Sequence, residues 1–326
     1  VANYTVNKFN QYPYTQRHVL KAKYLFATNG YEIGYKFEKG NIFKSVNLVL
    51  NASMQSPNFT FNFFGFGNET ANYDDDLGLN YNRIKVRSLN FNPQLKWRDK
   101  SGSSLSFGVL YENIEVHKTQ NRYVTSTTEL SNYVFDEVQF FGTNLIFNFE
   151  NYDNKAYPTM GMKTSIELGY KLNLDSSDRN YTYLIPEISF NHKLNASGKL
   201  VLATKLKSQI NFGDDFEFYQ AASIGGIDGL RGYRNQRFTG NQSFYHNTDL
   251  RFSFSSMKTK LIPIRLGMYS GFDYGRVWFP EESNSEWHQS TGFGLWLNSS
   301  NVISSTISYF HSSDGGRIAF GMKFNF

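Results

Sequence analysis

The sequence predicts an all-β fold: a 16-stranded antiparallel transmembrane β-barrel that takes up residues 1–326 as a single domain. Three observations predict it. The chain ends on a two-faced strand, with Ile318, Phe320, Met322, Phe324 and Phe326 alternating with Arg317, Ala319, Gly321, Lys323 and Asn325. Successive strand side chains point to opposite faces, so one face is apolar for lipid and the other small or polar for a lumen. Aromatics make up 17% of residues although mean hydropathy is −0.48 and charged residues are only 19%, a combination that suits a polar lumen inside an aromatic belt. Connections alternate between short turn-forming sets and long loops, as in barrels that place short turns on the periplasmic side.

The strands follow in order. A first span at 3–10 alternates poorly. Spans 18–27 and 31–38 flank Thr28-Asn29-Gly30. Span 45–54 carries Val46, Leu48, Leu50, Ala52 and Met54 at period two, and Gln55-Ser56-Pro57-Asn58 separates it from 58–66. Spans 82–98 and 103–116 flank Asp99-Lys100-Ser101-Gly102, and 139–150 follows a long connection. In 161–174, Thr164, Ile166, Leu168, Tyr170, Leu172 and Leu174 share a face. Spans 181–194 and 198–212 flank Asn195-Ala196-Ser197-Gly198, and 242–256 carries Leu250, Phe252 and Phe254. Spans 262–276, 290–298, 301–310 and 316–326 complete the set, with Asn298-Ser299-Ser300-Asn301 between the fourteenth and fifteenth. The long connections are 67–81, 117–138, 213–241 and 278–289. The C-terminus falls on the short-turn side, and an even strand count places the N-terminus there too. A domain preceding Val1 would then hang in the periplasm; the start at Val1 fits a mature barrel or the C-terminal part of a longer protein. A soluble β-sandwich or propeller would explain the alternation but not the loop asymmetry. No stretch reaches the roughly 20 apolar residues of a membrane helix.

Composition also excludes chemistry. The absence of cysteine rules out disulfides, thiolate metal sites and cysteine nucleophiles. The net charge of +5 is read as lumen and rim charge, because no long Lys/Arg run supports a nucleic-acid partner. His18, His117, His192, His246, His288 and His311 are scattered without metal-ligand spacing. Asp74-Asp75-Asp76 is read as a solvated loop tip rather than a calcium site, and His288 near Glu286 and Trp287 as an ordinary loop residue. No nucleophile elbow or phosphate-binding glycine loop occurs. The expectation is a barrel that is not an enzyme, with no catalytic residue, metal or cofactor.

One long loop is distinctive. It reads Gly225-Gly226-Ile227-Asp228-Gly229-Leu230-Arg231-Gly232-Tyr233, with a single Arg between Leu and Gly-Tyr. Asn151-Tyr152-Asp153-Asn154 with Pro158 and Gly161, then Gly271-Phe272-Asp273-Tyr274-Gly275-Arg276-Val277-Trp278, then Ser290-Thr291-Gly292-Phe293-Gly294-Leu295, follow family-like spacing. On these motifs the chain, from Asn151 to Phe326, resembles the Omp-eighty-five superfamily of BamA/TamA-like assembly factors and two-partner secretion transporters. The resemblance implies sixteen strands in the bacterial outer membrane and an extracellular loop six folded into the lumen, its Arg-Gly-Tyr tip paired with an Asp on strand thirteen.

The residues support the same pairing. On 262–276, Leu266, Met268, Phe272 and Tyr274 form the apolar face, so Asp273 points inward with Arg265, Gly267, Gly271 and Gly275. A carboxylate in a glycine-lined patch has room for a guanidinium. Leu230, Arg231, Gly232, Tyr233, Asp273 and Gly275 are therefore the candidate loop-six lock, and Phe320, Met322, Phe324 and Phe326 the candidate seam and C-terminal signal. The chain departs from the family at Gly271, where an aromatic usually precedes the Asp by two residues.

Three roles compete. As an assembly, insertion or secretion translocase, the barrel would meet protein substrates at a weak seam between its first and last strands. As an anchor and conduit, it would serve a periplasmic domain of the same polypeptide. Arg237-Phe238-Thr239-Gly240, Gly275-Arg276-Val277-Trp278, Trp287-His288 and Gly294-Leu295-Trp296 most resemble superfamily barrels fused to metallophosphatase domains, which favours this reading. A general porin is the third. In each case the lipid bilayer and lipopolysaccharide surround the barrel.

Overall fold

In the computed structural model, the described residues are all except 8–13, 44, 131, 177–178, 214–215, 227–228, 259–262, 281, 283–285, 300–302 and 325–326. The strands are β1 (Ala2–Val6), β2 (Gln16–Leu25), β3 (Gly30–Phe43), β4 (Val46–Gln55), β5 (Thr60–Asn62), β6 (Arg83–Arg98), β7 (Ser103–His117), β8 (Glu137–Glu150), β9 (Gly161–Asn173) and β10 (Tyr181–Lys193). They continue with β11 (Leu200–Phe212), β12 (Ala222–Ile224), β13 (Phe238–Gly240), β14 (Gln242–Ser253), β15 (Met257–Lys258), β16 (Pro263–Trp278), β17 (His288–Ser299), β18 (Ile303–Ser312) and β19 (Gly315–Phe324). Seventeen of them form one antiparallel sheet, and β12 and β13 form a separate two-stranded ribbon. Each of the sixteen expected strands has a counterpart in the large sheet, and β15 continues along β16 beyond the twelfth expected span.

The register shows where local reading misplaced the connections. β4 and β5 both pair with β6, Gln55 opposite Ser88 and Thr60 opposite Lys85, so they lie along one edge in one direction. Gln55-Ser56-Pro57-Asn58 is thus a break within a strand line, not a hairpin turn. The expected strand at 58–66 shrinks to Thr60–Asn62 because its apolar residues Phe63 and Phe64 leave the wall and are fully buried. The β2–β3 turn at Thr28-Asn29-Gly30 lies at the long-loop rim, opposite the rim that carries 99–102. Asn29 there has φ 55°, a left-handed conformation that Asn tolerates in tight turns. β1 runs towards the short-turn rim with Ala2 opposite Leu20, so its first residue lies level with the middle of β2 and not at that rim.

Side-chain exposure follows the predicted period of two. Leu20, Ile33, Leu89, Phe91, Phe107, Ile166, Leu168, Met268, Phe293, Ile307, Ile318, Phe320 and Met322 all stand exposed on the outer face. So continuous an apolar surface is stable only against lipid. The two clusters of buried apolar residues lie inside the long-loop end. One cluster joins Phe63, Ile84, Val86, Ile114, Val116, Val124, Val134 and Phe218; a second joins Ile224, Leu230, Tyr233, Phe238, Tyr245 and Val277. The wall strands supply some members and the loops the rest, so the core of this fold is the packing of loops into the lumen.

Candidate functional site: the loop tip inside the barrel

The β11–β14 connection, the expected loop six, carries its own scaffold. Ala222, Ser223 and Ile224 of β12 pair with Gly240, Thr239 and Phe238 of β13. This ribbon holds the two limbs of the loop together and delivers residues 229–237 inward. Gly225 turns the chain at φ 127°, and a Cβ there would stand 2.2 Å from the Arg234 carbonyl oxygen, so only glycine fits. Backbone bonds from Gly226 to Leu230 (3.0 Å) and from Tyr233 to Leu230 (3.0 Å) close the tip. Ile227 and Asp228 lie outside the described residues.

The tip meets β16 through Arg231. Its backbone N–H donates to Asp273 Oδ2 at 3.0 Å; Nε donates to both carboxylate oxygens at 3.0 and 3.1 Å, and Nη2 to Oδ1 at 2.5 Å. Asp273 is wholly buried, and Ser290 Oγ of β17 donates a further bond to it at 3.1 Å. Nη2 also lies 2.8 Å from Asp249 Oδ1 of β14, an ion pair without hydrogen-bond alignment. Burial opposes the charge of Arg231, but its hydrogen bonds to Asp273 and the nearby Asp249 outweigh this and raise the guanidinium above its ordinary pKa. The pair is fork-shaped and desolvated, the geometry in which Arg and a carboxylate hold one orientation.

The neighbouring residues fit around it. Leu230 is fully buried in the second apolar cluster. The Gly232 N–H donates to Ser290 Oγ at 3.2 Å and its carbonyl accepts from Ser312 Oγ at 2.8 Å; a Cβ on Gly232 would stand 2.6 Å from that of Ser290. The Tyr233 and Ser313 hydroxyls are 2.9 Å apart. Gly275 lines the same strand, with room for no Cβ against the Phe244 carbonyl at 2.5 Å. The aromatic missing at position 271 comes from another strand. Phe310 of β18 lies with its ring 4.1 Å from the Arg231 guanidinium carbon.

The structure adds partners that local reading did not find. Arg234 pairs with Asp74, which draws that one acid into the plug, while Asp75 and Asp76 stay exposed as expected of a solvated tip. Arg237 pairs with Asp314 at 2.6 Å and donates to Thr70 Oγ1 and O, each at 2.7 Å. The Phe64 ring lies 5.2 and 4.8 Å from the two guanidinium carbons. Arg231, Arg234 and Arg237 recur every third residue, a signal visible in the sequence; their acids come from strands and loops far apart in the chain. His288 is buried and stacked on Phe238 at 3.6 Å, so it packs the plug.

A second insertion enters from the short-turn side. In the β8–β9 turn, Tyr157 is buried with its ring stacked 4.0 Å from that of Trp296, under the Arg251 guanidinium at 4.8 Å. Arg251 Nη2 donates to the Pro158 carbonyl at 2.7 Å. Asp153 ties the turn by accepting from the N–H groups of Asn154, Thr159 and Met160 at 2.9–3.1 Å.

Of the candidate seam residues, Phe320 and Met322 face outward, the Phe324 backbone pairs with Ile303, and Phe326 lies outside the described residues. Among the described residues no register joins β1 to β19. Nor do described residues form a cluster with metal-ligand geometry.

Comparison with known proteins follows this geometry. The family model for the haemolysin secretion/activation proteins ShlB/FhaC/HecB matches residues 143–297. No curated protein sequence matches the chain. Among solved structures, BamA from Haemophilus ducreyi lacking POTRA domains 1–3 is similar at 17% identity with a TM-score of 0.64, over 98% of this chain and 68% of that one. CdiB from Escherichia coli is similar at 10% identity and 0.55, over 94% and 59%, and CdiB from Acinetobacter baumannii at 11% and 0.53, over 99% and 64%. The chain therefore spans about two thirds of the length of these structures.

Proposed function

We propose that this chain is a bacterial outer-membrane β-barrel of the Omp-eighty-five type that serves as the membrane anchor and gated conduit of a periplasmic domain of the same polypeptide. The observation that carries this reading is the Arg231–Asp273 pair, which fixes a loop tip across the lumen. A plug held by side-chain ion pairs, hydrogen bonds and packing can release as a unit, whereas a plug made of wall strands cannot. Lipid and lipopolysaccharide contact the apolar outer face. A protein segment is the class of substrate that a transiently opened lumen or seam would pass. We assign no catalytic step to the barrel, so a hydrolase attached to it would carry its own chemistry.

A second reading, an assembly, insertion or secretion translocase, is favoured by one finding. The secretion/activation family model covers the whole inserted loop and Asp273. The porin reading is disfavoured by the plug.

Single-channel recording tests the gate. The wild-type barrel is expected to give small, flickering conductance, and Arg231→Ala larger and longer openings. Steady high conductance in the wild type, unchanged in the variant, would refute it. The upstream sequence and intact mass of the native polypeptide separate the two readings. A hydrolase domain before Val1 supports the anchor, and tandem periplasmic repeats support the translocase.

A further inference from the structure

The lumen holds a second feature, at the end opposite the loop plug. A cavity of about 550 Å³ lies against the inner faces of β2, β3, β4 and β6. Arg17, Lys21, Lys36, Lys96 and Arg98 line it, against the single carboxylate of Glu38. The register stacks this wall in rows: Val19 faces Lys36, Lys36 faces Asn51, and Asn51 faces Asn92. β2 begins and β6 ends at the short-turn rim, so Arg17, Lys96 and Arg98 stand near the mouth and Lys36 and Lys21 deeper.

Six cations elsewhere in the interior are paired with acids. Arg87, Lys171, Arg179, Arg231, Arg234 and Arg237 each have a carboxylate within ion-pair distance. In the chamber, Glu38 is taken by Arg98 at 2.6 Å and by the Asn47 amide at 2.9 Å. No carboxylate among the described residues lies within 4.0 Å of Lys21, Lys36 or Lys96. Like charges converging in a cleft with low-dielectric walls focus a field that concentrates counter-ions. Asn51 and Ser53 add neutral hydrogen-bonding groups between the ammonium groups.

We propose that this chamber binds a small multivalent oxyanion of the phosphate class. A phosphate carries roughly two negative charges near neutrality and offers acceptor oxygens in several directions, matching lysines that converge from different strands. The continuous register from β2 to β6 separates the chamber from lipid, so the ligand is a soluble phosphate entering through the lumen. The site rests on the wall strands alone and is independent of whether the loop plug gates transport.

Calorimetric titration of inorganic pyrophosphate into the detergent-solubilised barrel at low salt tests this. The wild type is expected to show one saturable site, weakened about tenfold or more by Lys36→Gln with Lys96→Gln, since charge-assisted bonds are the strong ones. Lys163→Gln, which removes a lumen cation paired with Glu187 elsewhere, is expected to leave binding unchanged. Should the double variant fail to show heat-modifiable barrel migration, Lys21→Gln carries the test with a loss of about threefold, as expected of one charge at an accessible site. The proposal is overturned if the wild type shows no saturable binding, if the folded lysine variants bind as well as the wild type, or if Lys163→Gln weakens binding equally.

Discussion

Phe310 lies in the space that Gly271 leaves open. The two residues belong to β18 and β16, with Gly292 of β17 between them in one row of the sheet. A Cβ on Gly271 would stand 2.7 Å from Phe310 Cζ, and one on Gly292 2.6 Å from Phe310 Cγ. Two consecutive missing side chains let the ring lie along the wall and reach Arg231, where it shields the ion pair and offers its face to the cation. Gly271→Ala is expected to displace only side-chain ends, among them Arg231 Nη2 at 2.7 Å. Gly292→Ala meets the Tyr309 carbonyl at 2.2 Å, which backbone cannot yield. Urea unfolding of the folded barrels should therefore rank Gly292→Ala as the more destabilising of the two; the reverse order would contradict the packing of this row.

Arg231→Ala leaves Asp273 buried with Ser290 and without its cation. Breaking a buried pair from one side costs about 3–5 kcal/mol. Arg231→Lys keeps the charge but loses the fork, and is expected to be intermediate. Unfolding midpoints in urea for the three proteins check this; equal stability of wild type and Arg231→Ala would mean that the pair does not hold the loop.

Arg237 reaches Asp314 in the β18–β19 turn and Thr70 in the β5–β6 loop, so it ties two connections of the long-loop rim to the plug. Asp314→Asn is expected to speed protease cleavage within 213–241 while leaving the wall strands resistant. Limited proteolysis followed by mass mapping reads this directly, and unchanged cleavage would show the tie to be dispensable.

Burial pushes the Tyr157 hydroxyl up to about 12, against the opposing pull of Arg251 and Arg265. The folded state therefore holds this proton more tightly than the unfolded chain, whose tyrosines titrate near 10. Its contribution is complete below about pH 10 and is lost as pH rises towards 12. The hydroxyl has no hydrogen-bond partner among the described residues, so Tyr157→Phe should fold as well as the wild type at neutral pH. The variant should lose less stability above pH 10. Parallel stability–pH curves for the two proteins would remove this account of the turn.

The alternation of side chains was legible because a strand wall between lipid and water imposes a period of two on the chain itself. Thr164 to Leu174 and Ile318 to Met322 show it without any tertiary information. Asp273 could be placed inward on the same ground, and its glycine neighbours announced a close approach. The break at Gln55–Asn58 was not legible. Turn-forming residues there look like a hairpin, and only the register shows that β5 continues the line of β4.

The sequence by itself determined which strand faces meet lipid, since that depends on each residue and its neighbours two positions away. It also carried the arginines at 231, 234 and 237 and the acids at 74, 249, 273 and 314. The tertiary structure alone decided that Arg234 meets Asp74 and Arg237 meets Asp314, that Phe310 fills the place of an aromatic at 271, and that five cations share one chamber with a single carboxylate. Those are contacts across strands separated by tens to hundreds of residues. Curling the sheet brings such residues together, and no local periodicity records the distance between them.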